Sequence, residues 1–146
     1  MTMIWWGGAA PSLERLTRLG DSVLPAHLGM EFDGVGDDWL RCRMPVDHRT
    51  HQPFGRLHGG ASVALAETVG SMAGSMVVDP ARFVVVGMEI NANHLRPAFS
   101  GWVMGTARPE SLGRTAQVWS IRIEDEAGKL VCISRFTAAV IKLERR

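Results

Sequence analysis

The spacing of apolar and polar residues changes along the chain and predicts one long helix among several strands. Apolar and charged residues alternate from Trp39 to Val46, as they do in a strand with one buried face. The segment from Ala61 to Val78 is instead rich in Ala, Met and Val and runs up to Asp79-Pro80, which predicts one continuous helix. A shorter helix is predicted up to Leu19, with Ser12 as its cap.

The second half of the chain has the pattern of an antiparallel sheet. Strands are predicted over Phe83–His94, Gly101–Ala107, Arg114–Glu124 and Lys129–Leu143, and Asp125–Gly128 is typical of a hairpin turn. One long helix between an early strand and four later strands is an α+β plan, in which the helix packs across the sheet. We expect a single domain over residues 1–146, with residues 1–11 loosely ordered.

Composition narrows the class of protein. A chain of 146 residues, of which 46% are hydrophobic, suits one globular domain. Sixteen basic and fifteen acidic residues leave a net charge of +1, which argues against nucleic-acid binding. Cys42 and Cys132 are too few for a disulfide scaffold, and no signal peptide or membrane span is evident. We therefore expect a soluble, cytoplasmic protein without a membrane partner.

The polar loop before the long helix is the first candidate for chemistry. It reads DHRTHQPFGRLHGG and holds three of the five histidines. Free backbone N–H groups at a helix N-terminus can stabilise an oxyanion, and glycine lets a carbonyl approach closely. His58 and Gly59 stand at that N-terminus, and Gln52 precedes them. Taken singly, each of these residues is more typical of an ordinary turn than of a catalytic site.

Glu67 is the only formal charge between Arg56 and Asp79. A carboxylate within an apolar helix must be paired, protonated or functional, because holding it away from water without partners is costly. One interpretation is a structural ion pair with Arg96 or Arg135. The other is a catalytic carboxylate.

The helical rise separates the two candidate features. Glu67 follows Gly59 by eight residues, which corresponds to about 12 Å along one helix. The two cannot easily act on one carbonyl carbon. This predicts an active site at a homodimer interface, with Gln52, His58 and Gly59 from one chain and Glu67 and Ser71 from its partner.

Three segments of the chain resemble a known family. HQPFGRLHGGASVALAETVGSMAG, EINANHLRP and GRTAQVWSIRIEDEAGKLVCISRFT are similar to the hotdog-fold acyl-CoA thioesterases, in the 4-hydroxybenzoyl-CoA thioesterase-like branch that carries a catalytic Glu. The resemblance implies a long central helix wrapped by an antiparallel sheet, assembly as a dimer of dimers, and no metal or cofactor. It implies an acyl-CoA substrate and leaves an acyl carrier protein open as a further partner.

The same resemblance implies roles for individual residues. Glu67 corresponds to the nucleophile or general base, and Gly59 to the oxyanion-hole N–H. Gln52 and His58 correspond to the residues that hold the carbonyl and the attacking water, and Ser71 to a hydroxyl near that water. The residues implied to line the acyl, pantetheine and nucleotide path are Gly87, His94, Leu95, Arg96, Pro97, Ser111, Leu112, Gly113, Arg114, Thr115 and Ala116.

The predicted reaction is hydrolysis of an acyl-CoA thioester, with an aromatic or medium-size acyl group, to the free acid and CoA. Arg96, Arg114 and Arg135 are candidates for contact with the CoA phosphates. Two alternatives stay open. One is a non-catalytic acyl-CoA binding protein. The other is a hotdog dehydratase, in which His58 and Glu67 would act together.

Overall fold

A computed structural model describes residues 2–144 of the chain, which form a six-stranded antiparallel sheet and one long helix. After a 3-10 turn (Trp6–Gly8), the elements in chain order are α1 (Leu13–Leu19), α2 (Leu24–His27), β1 (Glu31–Val35), β2 (Leu40–Pro45), α3 (Gly59–Met76), β3 (Phe83–His94), β4 (Trp102–Leu112), β5 (Ala116–Asp125) and β6 (Leu130–Lys142). The strand order in the sheet is β1-β2-β4-β5-β6-β3. The α+β prediction, with one long helix against an antiparallel sheet, is confirmed.

Helix α3 packs across five of the six strands. Its sheet-facing side carries Leu65 and Val69, which are fully buried, and two glycines that let the helix come close to the strands. A methyl group on Gly70 would lie 2.8 Å from the ring of Phe136, and one on Gly74 would lie 2.5 Å from Gln117 Oε1. The small residues of the predicted helix therefore serve close packing against the sheet.

The boundaries of α3 differ from the predicted 61–78. The helix begins at Gly59, because the His58 side chain caps it, and ends at Met76, where the Val77 N–H bonds to the Gly74 carbonyl. Strand β4 continues past the predicted end at Ala107, through an irregularity in its pairing with β5.

The prediction of a single early strand is wrong, because β1 pairs with β2 as a second early strand. Its five residues include Asp33 and Gly34, which are uncommon in strands, and its register shifts between Phe32 and Gly34. No regular alternation of apolar and polar residues therefore indicated strand β1 in the sequence.

Two residues of the N-terminal segment, which was expected to be loosely ordered, contact the loop that joins β1 and β2. Trp5 is buried, with 3% of its surface exposed, and its indole N–H donates to the Gly36 carbonyl at 2.7 Å. The Ile4 N–H donates to the Asp37 carbonyl at 2.9 Å. These contacts hold the described part of residues 1–11 against the loop that joins β1 and β2.

Strand β3 forms one edge of the sheet and contains a β-bulge that decides which residues face α3. Gly87 pairs with Ala138 and Glu89 with Thr137, so Met88 is an extra residue opposite β6. Before the bulge, Val85 and Gly87 face the helix; after it, Ile90, Ala92 and His94 do. Both Gly87 and His94 thus contact α3, although their positions differ by seven, an odd number that would put them on opposite faces of a regular strand. Within residues 2–144, no helix is long and apolar enough to span a bilayer.

Candidate active site

The N-terminus of α3 presents one free backbone N–H group. The Gly60 N–H donates to His58 Nδ1 at 2.8 Å, and the N–H groups of Ala61 and Ser62 donate to the His58 carbonyl at 3.0 and 3.2 Å. Among the described residues, the Gly59 N–H has no acceptor. The positive end of the helix dipole therefore has one donor available to a ligand.

The cap also fixes the tautomer of the neutral His58 ring. Since Nδ1 accepts a hydrogen bond, the proton of the neutral ring is on Nε2, which is then a donor. Gly60 leaves room for this ring, because a methyl group there would lie 2.9 Å from its Cε1 and Nδ1 atoms. The His58 N–H donates to the Thr50 carbonyl at 2.8 Å and ties the cap to the preceding loop.

A cavity of about 370 Å³ opens beside the Gly59 N–H. The His94 ring forms one wall, and its Nε2 atom would be 2.9 Å from a methyl group on Gly59. Gln52 forms another wall; its Oε1 accepts the Phe54 N–H, which leaves the side-chain NH₂ as a donor. Of the predicted site residues, the cavity brings together Gln52, Gly59, His94, Leu95, Arg96 and Pro97.

Glu67 lies outside this cavity. Its carboxylate rests against β3, where a methyl group on Gly87 would lie 2.5 Å from Glu67 Oε1. Within the described part of the chain, Glu67 takes part in no ion pair, so the alternative of a structural pair with Arg96 or Arg135 is not observed. Ser71 lies one turn further along α3, and both side chains are half-buried.

Within one chain, the candidate site residues therefore fall into two separate groups. The free N–H of Gly59 and the cavity residues lie at the start of α3, and the carboxylate of Glu67 lies two turns later, about 12 Å along the axis. Of the predicted group of Gln52, His58 and Gly59, the first and last line this cavity, whereas His58 caps α3 and does not line it. Glu67 and Ser71 are not brought to that place within the chain.

The segment Ser111–Ala116 lies at the opposite end of α3. It ends β4, and the Gly113 N–H donates to the Ala116 carbonyl at 2.9 Å to close the turn into β5. Beside this turn is a second cavity of about 730 Å³ with a mainly apolar wall and three cationic side chains. Its lining residues include Trp6, Val77, Val78, Phe83 and Val140, together with Arg82, Arg114 and Lys142.

Sequence reasoning missed several of these lining residues. Arg56 and Ser62 line the first cavity, and Trp6 lines the second. Ser62 could have been found, because it follows Gly59 by three residues and so lies on the same helix face. Trp6 could not, since nothing local relates it to the far end of α3.

Comparison with known proteins assigns the chain to a family. The model of the thioesterase superfamily matches residues 54–132, a segment that includes the capped start of α3 and Glu67. The chain belongs to the thioesterase superfamily. This thioesterase is a thioester hydrolase with a hotdog fold, which confirms the resemblance found in its sequence.

Two characterised relatives are similar over most of their length. The thioesterase is 50% identical to the 1,4-dihydroxy-2-naphthoyl-CoA hydrolase of Escherichia coli, over 89% of this chain and 95% of the relative. It is 51% identical to the proofreading thioesterase EntH of Cronobacter turicensis, over 89% of this chain and 94% of the relative.

Solved structures agree with the fold. A crystal structure of a thioesterase from Haemophilus influenzae matches with a TM-score of 0.93 and 51% identity, over 99% of both chains. That of a Gln-to-Ala mutant thioesterase from Pseudomonas aeruginosa matches with a TM-score of 0.93 and 48% identity, over 96% of this chain and 99% of that one.

Proposed function

We propose that this thioesterase hydrolyses an acyl-CoA thioester, with Glu67 as nucleophile or general base, in a site shared by two copies of the chain. The observation that carries the proposal is the separation of two complementary halves. Among residues 2–144, the Gly59 N–H has no acceptor, its cavity has no carboxylate, and Glu67 outside that cavity has no ionic partner. A relative with 50% identity is named as a CoA thioester hydrolase.

The free edge of β3 supports pairing with a second copy. Val84 and Val86 are 40% and 41% exposed on this strand, and Met88 is 66% exposed at the bulge. Long apolar edge strands are normally covered, because their unpaired N–H and C=O groups invite another strand. Glu67 rests against this same strand, so a twofold-related copy that covers the edge would approach the carboxylate.

The chemistry follows from the two halves. The thioester carbonyl oxygen accepts the hydrogen bond of the Gly59 N–H, at the positive end of α3. In one route, a Glu67 oxygen attacks the carbonyl carbon, the C–S bond breaks, and CoA leaves as the thiolate; water then opens the mixed anhydride. In the other route, Glu67 takes a proton from a water that attacks the carbonyl directly.

The cavity at the far end of α3, lined by three cationic side chains and by Asp79, is the proposed place for the CoA nucleotide. Val77, which caps the end of α3 beside it, follows Glu67 by ten residues, or about 15 Å along the helix axis. Within residues 2–144, Arg82, Arg114 and Lys142 form no ion pairs, so their charges are free to meet phosphates. The preferred acyl groups are aromatic or of medium size.

Mixing two inactive variants tests the shared site. Gln52→Ala and Glu67→Gln each damage a different half, so neither should turn over substrate at a useful rate. Unfolded and refolded together, they should form mixed dimers in which one site carries both substitutions and the other carries none. Roughly a quarter of the sites should then be intact. Glu67→Gln mixed with Glu67→Ala is the matched control and should stay inactive. If the first mixture also stays inactive, the shared site is refuted.

A single turnover in ¹⁸O-water tests for a mixed anhydride that water opens at the carboxyl carbon of Glu67. Label in the Glu67 peptide, found by mass spectrometry, supports that anhydride. Label found only in the product acid shows instead that water attacks the acyl carbon, and it excludes opening at Glu67.

A free-thiol assay over a panel of thioesters tests the reaction itself. The panel includes short-chain, long-chain and aromatic acyl-CoAs and an acyl carrier protein thioester. Tight binding without thiol release would instead support the non-catalytic binding protein. An alkene product from a 3-hydroxyacyl thioester would support the dehydratase.

A further inference from the structure

The ring of Phe136 on β6 fills a gap between α3 and β3 that two glycines create. A methyl group on Gly70 of α3 would lie 2.8 Å from its Cδ1 atom. One on Gly87 of β3 would lie 3.0 Å from its Cε2 atom. Phe136 is fully buried, and it pairs with Ile90 on β3 and Trp119 on β5, so three strands fix its position.

The edge of the ring and the carboxylate of Glu67 both lie beside the Cβ position of Gly87. The Cβ position above Gly87 is 2.5 Å from Glu67 Oε1 and 3.0 Å from Phe136 Cε2. The space in front of Gly87 is therefore shared by one oxygen of the carboxylate and one edge of the ring. Gly87 stands directly before the bulge of β3, where the strand changes direction.

A glutamate side chain has three rotatable bonds, and a half-buried one has several rotamers available unless its surroundings remove them. On its inner side, Glu67 has no hydrogen-bond donor or cation among the described residues that would select one rotamer. The backbone of Gly87 and the neighbouring edge of the Phe136 ring are what remain to limit it.

We propose that Phe136 is a positioning residue, which holds the Glu67 carboxylate against Gly87 in the orientation that the reaction uses. This rests on the proposed role of Glu67. The ring does not touch the substrate; it limits where the carboxylate can go. Misplacement of a reacting group by about 1 Å can cost on the order of a hundredfold in rate, so loss of this contact should be visible in kcat.

The test compares two core substitutions that touch the same glycine. Phe136→Leu withdraws the ring edge from both Gly70 and Gly87. Ile121→Val is the control, because Ile121 Cδ1 would lie 3.5 Å from a methyl group on Gly70 but is not among the three atoms nearest to a methyl group on Gly87. Both variants should lower the midpoint of thermal unfolding. Only Phe136→Leu should lower kcat, by roughly tenfold to a hundredfold, with KM little changed.

Two further measurements keep the proposal open to refutation. Phe136→Met keeps a long apolar side chain and should give an intermediate kcat, even if Phe136→Leu folds poorly. Combined with Glu67→Gln, Phe136→Leu should lower the residual kcat no further, because the ring acts through the carboxylate.

The outcomes distinguish the two proposals. If Phe136→Leu and Ile121→Val leave kcat equally unaffected while Glu67→Gln abolishes it, Phe136 is only a core residue and the positioning role is refuted. If the effects of Phe136→Leu and Glu67→Gln multiply instead, the positioning role is again refuted. If Glu67→Gln itself retains full activity, the proposed function fails first.

Discussion

Gly87→Ala is the substitution whose effect the structure defines most closely. The new Cβ atom would lie 2.5 Å from Glu67 Oε1, whereas an unstrained contact needs about 3.5 Å. The carboxylate must therefore move by about 1 Å. A displacement of that size is worth roughly a hundredfold in kcat, or about 2.7 kcal/mol of activation free energy.

The same change should cost little stability. Glu67 Oε1 is the end of a flexible side chain and can yield, while Phe136 Cε2, 3.0 Å from the new methyl group, must shift by a few tenths of an ångström. We expect the free energy of unfolding to fall by about 1 kcal/mol. Activity should thus fall much further than stability.

Gly105→Ala is the matched control. It also places a methyl group between the sheet and α3, 3.2 Å from Leu65 Cγ. Gly105 is on β4, however, whereas Glu67 rests against β3. Both variants are measured by thiol release at saturating acyl-CoA and by urea unfolding. If Gly87→Ala keeps kcat within twofold of the parent, or if Gly105→Ala loses as much, the reasoning about Glu67 is wrong.

Three other changes test separate parts of the structure. Gln117→Leu leaves the buried indole N–H of Trp119 without its 2.9 Å acceptor, so urea unfolding should show a loss of about 1–3 kcal/mol; an unchanged midpoint would contradict this. The hydrogen bond from Arg49 lowers the pKa of Asp47 to about 2, below its usual 3.8, so Asp47 stabilises the fold above about pH 4 and loses that contribution as the pH falls towards 2. Asp47→Asn should flatten the pH dependence of unfolding in that window, and a parallel curve would exclude the interaction. Burial raises the pKa of both cysteine thiols, so Ellman's reagent should label neither at pH 8 before the protein unfolds, and rapid labelling of the native protein would show that the core opens.

Local patterns were enough to predict the main elements. The alternation of apolar and charged residues predicted β2, and the apolar segment up to Asp79-Pro80 predicted the long helix. Each pattern depends only on residues that are close in sequence. The helical rise alone predicted that Gly59 and Glu67 are about 12 Å apart, and in the structure Glu67 lies outside the cavity beside Gly59. Strand β1 was missed because local patterns need a regular alternation, and its short, irregular pairing with β2 leaves no such alternation in the sequence.

The sequence by itself determined the class of fold, the long helix that carries Glu67 and the polar loop that leads into Gly59. Only the tertiary structure decided which side chains surround them. The single extra residue in β3, Met88, lets both Gly87 and His94 face α3, because a one-residue shift reverses the side on which every later side chain lies. The contacts at Glu67 and Gly59 depend on that register and on residues far away in the chain, so no local pattern could specify them.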